Sequence, residues 1–137
     1  MTLPRDRPMD RHEVDVRARH ARSYLQAAQL VHDLGDDADV DTVTTVVASL
    51  AVLSGIAAAD AICGRSLGRR SASTSHGDAV ALLATVTGGK PLSNDLSRLV
   101  TAKTNVHYSS MLITAATAED LLRYARRLVD GMDLYSL

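Results

Sequence analysis

The sequence predicts an all-α fold, an antiparallel bundle of four to five helices, and three observations lead there. The 137-residue chain is 46% hydrophobic with no Phe, no Trp and four Tyr. Its apolar bulk is therefore Ala, Val, Leu and Ile, a mixture that favours closely approaching helices over a twisted sheet. Apolar residues recur at helical spacing in five segments, and no segment sustains the alternation of a strand. Gly, Pro and capping residues separate these segments by short loops, as an antiparallel bundle requires.

The length suits one domain. Residues 1–9, with Pro4 and Pro8, read as a flexible lead-in, and residues 10–137 as a single helical-bundle domain. The first helix is expected from about Asp10 to Leu34, with Val14, Tyr24, Leu25, Ala28 and Val31 as a patchy apolar stripe. Arg11, Arg17, Arg19 and Arg22 crowd its remaining surface, and Gly35 is well placed as a cap. Asp41 can cap a second helix that reaches Leu67 before Gly68 stops it. That helix is apolar nearly all round, as suits an element packed on several sides.

Ser75-His76-Gly77-Asp78 reads as a capping box opening a third helix, Asp78 to about Val86. Gly88-Gly89-Lys90-Pro91 breaks the chain, and a fourth helix runs from Ser93 or Asn94 to about Tyr108. Thr117-Ala118-Glu119-Asp120 is a second capping box, opening a fifth helix that carries Leu121, Leu122, Tyr124, Ala125, Leu128 and Val129 and ends near Gly131. Arg123, Arg126 and Arg127 fall on its wet face.

Composition excludes several function classes. With a net charge of −1 the chain has no global field to draw nucleic acid, although a local basic patch remains open. Only Lys90 and Lys103 are lysines; the other basic residues are arginine. The single Cys63 excludes an internal disulfide and a cysteine zinc site, and its apolar surroundings suggest a buried thiol. His12, His20 and His32 are scattered singly, and no metal site or cofactor is expected. The N-terminal residues carry charge and proline where a signal peptide would be apolar. Val43 to Ile62 is interrupted by Thr44, Thr45, Ser49, Ser54 and Asp60, so it reads as a bundle helix and no membrane span is expected. A cytoplasmic location is the corresponding expectation.

Polar residues on apolar stripes are the informative anomaly. On the fourth helix Leu96, Leu99 and Val100 define a stripe whose midline passes through Lys103 and His107. On the second, Val46, Leu50, Leu53 and Ala57 lead to Asp60. One reading is an inward Asp60–Lys103 pair with His107 satisfied beside it, marking specificity more than stability. The other is a small polar pocket in which His107 acts as acid or base and Lys103 holds a phosphate. Arg65, Arg69, Arg70 and His76 gather around the loop after the second helix and form a candidate phosphate-binding edge.

Three stretches carry a family resemblance. Ser54-Gly55-Ile56-Ala57-Ala58-Ala59-Asp60-Ala61-Ile62-Cys63 with Leu67-Gly68 resembles the second helix of HEPN-like proteins, and Ser75 to Leu83 resembles the helix after it. Leu99-Val100-Thr101-Ala102-Lys103-Thr104-Asn105-Val106-His107-Tyr108 resembles the later helix, which a Lys and an aromatic close. The likeness spans roughly residues 40 to 130. It implies a helical bundle, a homodimer, and a place in a toxin–antitoxin, defence or RNA-processing system. It also implies RNA, a nucleotide or a cognate protein as partner, with Asn105, Tyr108 and Arg98 joining Asp60 and Lys103 at the binding face. Many members are metal-independent ribonucleases whose motif sets an Arg shortly before a His. Here Arg98 and His107 are separated by eight residues, and Lys103 is separated from His107 by three. A non-catalytic binding or regulatory module is thus the expected function. The alternatives are a degenerate ribonuclease using His107 with Lys103 or Arg98, and a purely structural homodimer whose polar seam sets register.

Overall fold

The structure is a computed structural model that describes residues 6–72, 76–108 and 112–135, without the side chains of Thr104, Asn105, His107 and Tyr108. Five helices carry it: α1 (Arg11–Leu34), α2 (Val43–Leu67), α3 (His76–Ala84), α4 (Lys90–Tyr108) and α5 (Ala115–Met132). A two-stranded ribbon of β1 (Asp6–Pro8) and β2 (Arg69–Ser71) is added to them.

Local chemistry sets the helix ends. Asp10 Oδ1 accepts from the Glu13 N–H at 2.8 Å and opens α1. Gly35 closes it by donating to the Val31 carbonyl at 2.8 Å. Gly35 is right-handed there (φ −60°), so it serves by lacking a side chain beside that carbonyl and not by a left-handed turn. Gly68 does take the left-handed turn (φ 66°) that ends α2. At the start of α5 the cap is Thr114, whose Oγ1 accepts from the Thr117 N–H at 3.1 Å. The helix therefore begins one turn before the Thr117 box that the sequence suggests. The starts of α3 and α4 also come early, at His76 and Lys90.

Central α2 packs against all four other helices. Every residue from Ala57 to Gly64 is buried. Small side chains make this close packing feasible: a Cβ on Gly55 would collide with Leu99 Cδ1, and one on Gly64 would lie 2.5 Å from Val14 Cγ2. Helix α1 runs antiparallel to α2, since Val14 meets Gly64, Arg17 meets Asp60 and Ser54 Oγ donates to the Ala21 carbonyl at 2.7 Å. Helices α4 and α5 are also antiparallel: Leu92 lies against Gly131, and Arg127 binds Asp95. In contrast α5 lies parallel to α2, because Thr44 bonds to Ile113 near their starts and Arg65 to Met132 near their ends. Leu83, Leu96, Leu99, Leu128 and Met132 fill the core between them. Among the described residues α2 alone is long and apolar enough to cross a membrane, and 72% of that apolar window is buried inside the bundle.

The ribbon corrects the picture of a loose lead-in and a strand-free chain. Asp6, Arg7 and Pro8 face Ser71, Arg70 and Arg69 in antiparallel register. Met9 continues the attachment, donating to the Gly68 carbonyl at 2.9 Å and burying its side chain. Three-residue strands are too short to show a two-residue period.

Candidate functional site

Asp60 lies in the fully buried stretch of α2 and is only 8% exposed. A carboxylate in that position needs a charged partner. Two converge on its Oδ2: Arg17 donates from Nε at 3.0 Å and Arg70 of β2 from Nη1 at 3.4 Å. Burial pushes the Asp60 carboxyl above its usual range, and the two guanidiniums pull it part of the way back. One turn away the Cys63 thiol is pushed up to about 12, first by burial and then by the Asp60 charge. At that value the sulfur stays protonated and unreactive.

Lys103 has a different partner from the one its stripe suggests. Its Nζ stands 2.7 Å from Nε2 of His76, the first residue of α3. An ammonium only donates, so Nε2 must present its lone pair and the ring proton is assigned to Nδ1. Burial lowers the His76 pKa, the Lys103 charge lowers it further, and Asp60 opposes them. The imidazole is therefore held neutral beside a cation.

This pair borders a cleft of about 500 Å³ between α3 and α4. Gly77 and Val80 supply the α3 side; Ser97, Val100 and Thr101 supply the α4 side. The helical period of α4 brings Ser97, Thr101 and Val100 to the side nearest α3 while Leu96 and Leu99 enter the core. An oxyanion in the cleft would meet one ammonium, two hydroxyls and a neutral imidazole. Among the described residues no three His, Cys, Asp or Glu side chains are placed to hold a metal ion.

The residues singled out from sequence thus separate. Asp60 is buried and Lys103 half-buried at the cleft, and Asp60 is held by Arg17 and Arg70, not by Lys103. The side chains of His107, Asn105 and Tyr108 lie outside the described residues. Arg65 is engaged structurally, its Nη1 donating to the Met132 carbonyl at 2.6 Å. Arg69 binds Asp6 at 2.8 Å across the ribbon, and Arg70 belongs to the Asp60 cluster. Arg98 stands on the α5 side of α4, 5.2 Å above the Tyr124 ring and 3.7 Å from Asp95. It does not line the Lys103 cleft.

Arg17 and the pairing role of His76 were not legible in the same way. Arg17 sits three residues after Val14 and four before Ala21, both fully buried, so it belongs to the core-facing stripe of α1 and not to its wet face. That spacing was the signal available. His76 offered none, because its neighbour comes from a helix 27 residues away.

No family model, no curated protein and no solved structure matches this chain.

Proposed function

We propose that this chain is a HEPN-like binding module that takes a phosphate-bearing ligand, RNA or a nucleotide, in the cleft between α3 and α4. The observation that carries this reading is the Lys103 Nζ–His76 Nε2 contact of 2.7 Å at the cleft wall. Among the described residues Lys103 has no carboxylate partner, so its charge is balanced only by the lone pair of a neutral ring. A phosphate oxygen is a stronger acceptor for that ammonium, and the hydroxyls of Ser97 and Thr101 add donors along the same wall. A bound phosphate would also favour the imidazolium, giving a second donor at His76. The homodimer and the stress, toxin–antitoxin or defence setting belong to the same reading and rest on the resemblance of the helices.

A neutral imidazole beside a cation also favours a second reading, a metal-independent ribonuclease. Once a phosphate oxygen draws Lys103 Nζ off the ring, the freed Nε2 lone pair of His76 would take the proton of a ribose 2′-hydroxyl as its oxygen bonds to the adjacent phosphorus. The bond to the 5′-oxygen would break, that oxygen taking a proton from water, while Lys103 offsets the developing charge.

One experiment tests both: labelled RNA is titrated without metal against the wild type, Lys103→Ala and His76→Ala, following anisotropy across a salt series and chain integrity on gels. The module predicts intact RNA, salt-dependent binding and a loss of about tenfold in Lys103→Ala. Cleavage lost in both folded variants would replace the module with the nuclease. Absence of binding and cleavage even at low salt would overturn both.

A further inference from the structure

A second cavity borders Arg17 and Arg70, the two partners of Asp60. It has a volume of about 310 Å³ and lies between the first half of α1 and the ribbon, lined by Arg7, Met9, His12, Val16, Arg17 and Arg70, with Glu13 at the same wall. We propose that this groove is a binding site for a small phosphate monoester, held by the guanidiniums of Arg7, Arg17 and Arg70. This site is independent of the α3–α4 cleft and of the function proposed for it.

Charge placement is the first ground. Arg7 and Arg70 are direct cross-strand partners in the ribbon. Like charges opposed in this way destabilise a strand pair, and Arg17 of α1 brings a third guanidinium to the same cavity. Their counterions fall short. Glu13 meets Arg7 at 3.3 Å, while Arg17 and Arg70 share the single carboxylate of Asp60. Among the described residues, three guanidiniums against two carboxylates leave one positive charge in excess. A bound anion offsets that excess and removes the cross-strand repulsion.

Unused hydrogen-bonding capacity is the second ground. Arg70 donates to Asp60 from Nη1, yet among the described residues its Nε is buried without a partner, and so is the hydroxyl of the next residue, Ser71. An unsatisfied buried donor is costly, and this one belongs to a guanidinium that also lines the cavity. Three forked donors suit the three terminal oxygens of a phosphate monoester better than the two oxygens of a carboxylate. Met9 and Val16 give the organic part an apolar surface, and the volume lies at the lower end of small-molecule sites, which begin at about 300 Å³.

The full chain, labelled with nitrogen-15, is titrated with inorganic phosphate, with adenosine 5′-monophosphate and with adenosine, folding of each variant being checked by circular dichroism. Phosphate and the nucleotide should shift the amides of residues 9–17 and 69–71 saturably, and adenosine should not. Arg7→Gln should weaken phosphate binding by about tenfold. Glu13→Gln should strengthen it severalfold, because it releases Arg7 from its competing carboxylate; a purely structural pair would give no such gain. Read at the amides of residues 9–17 and 69–71, the affinity should be the same in Lys103→Ala, because Lys103 does not line the groove. The proposal is overturned by adenosine binding as well as its phosphate, by absence of saturable shifts at millimolar phosphate, by unchanged affinity in folded Arg7→Gln, or by weaker affinity in Glu13→Gln.

Discussion

The close approach of α2 and α4 at Gly55 can be tested by a double-mutant cycle. Leu99 is fully buried, and a methyl on Gly55 would overlap its Cδ1 while lying 3.2 Å from Leu128 Cδ1. Gly55→Ala therefore sets two effects against each other. Helix propensity favours alanine by about 1 kcal/mol, whereas overpacking a filled core costs about 1–3 kcal/mol. A net destabilisation of about 1 kcal/mol follows. Leu99→Ala alone should cost about 2–5 kcal/mol, since it empties a site with no access to water. Combined, the new methyl enters space the leucine has vacated, so the overlap disappears and the propensity gain remains. The double variant should then be about 1–3 kcal/mol more stable than the sum of the singles predicts. Urea unfolding followed by circular dichroism measures all three, provided the denaturant slopes agree. A Gly55→Ala variant as stable as wild type, with an additive cycle, would show that α2 and α4 do not depend on this contact.

Two histidines should shape the pH dependence of stability in opposite senses. His76 has its pKa lowered by burial and by Lys103, so its share of stability is present above the ordinary value of 6.5 and is lost as pH falls below it. The His32 pKa is raised, chiefly by its hydrogen bond to Asp33, so its share is present below 6.5 and lost as pH rises through the folded value. His76→Asn should flatten the acid side of a plot of urea midpoint against pH, and His32→Asn the neutral side; unchanged slopes would refute the corresponding environment. Cys63 should not react with a chromogenic disulfide reagent at pH 8 while the chain is folded, and should react fully in denaturant. Rapid labelling of the native protein would show that the α2 interior opens.

Much of this fold can be read from the sequence, because its signals are local. Asp10, Gly35 and Gly68 mark helix ends by their own chemistry, and the Leu96–Leu99 stripe states which side of α4 enters the core. The same stripes place Asp60 in the interior and Lys103 in a seam between helices. Their partners were a different kind of question. Which cation reaches Asp60 depends on how α1 is rotated against α2 and on a ribbon joining residues 6–8 to 69–71. Nothing within one helix records either quantity. The pairing of Lys103 with His76 likewise depends on where α3 is laid across α4. Periodicity reports the direction of a side chain, whereas the identity of its neighbour is a property of the assembled bundle.

The alanine surface of α2 carries a mechanical consequence. Knobs of Leu or Phe normally index one helix against another, and a face of Ala and Gly offers few of them. Such a helix can turn or slide against α1 with little loss of buried area. Two polar attachments on α1 oppose that freedom: Ser54 at the Ala21 carbonyl and Asp60 at Arg17. They lie six residues apart on α2, about 9 Å along its axis. Two points of attachment fix both the angle and the depth of a smooth rod, which one point cannot do. The polar groups inside this bundle thus act as its index marks, and through Arg70 the same marks set the position of the ribbon and its arginines.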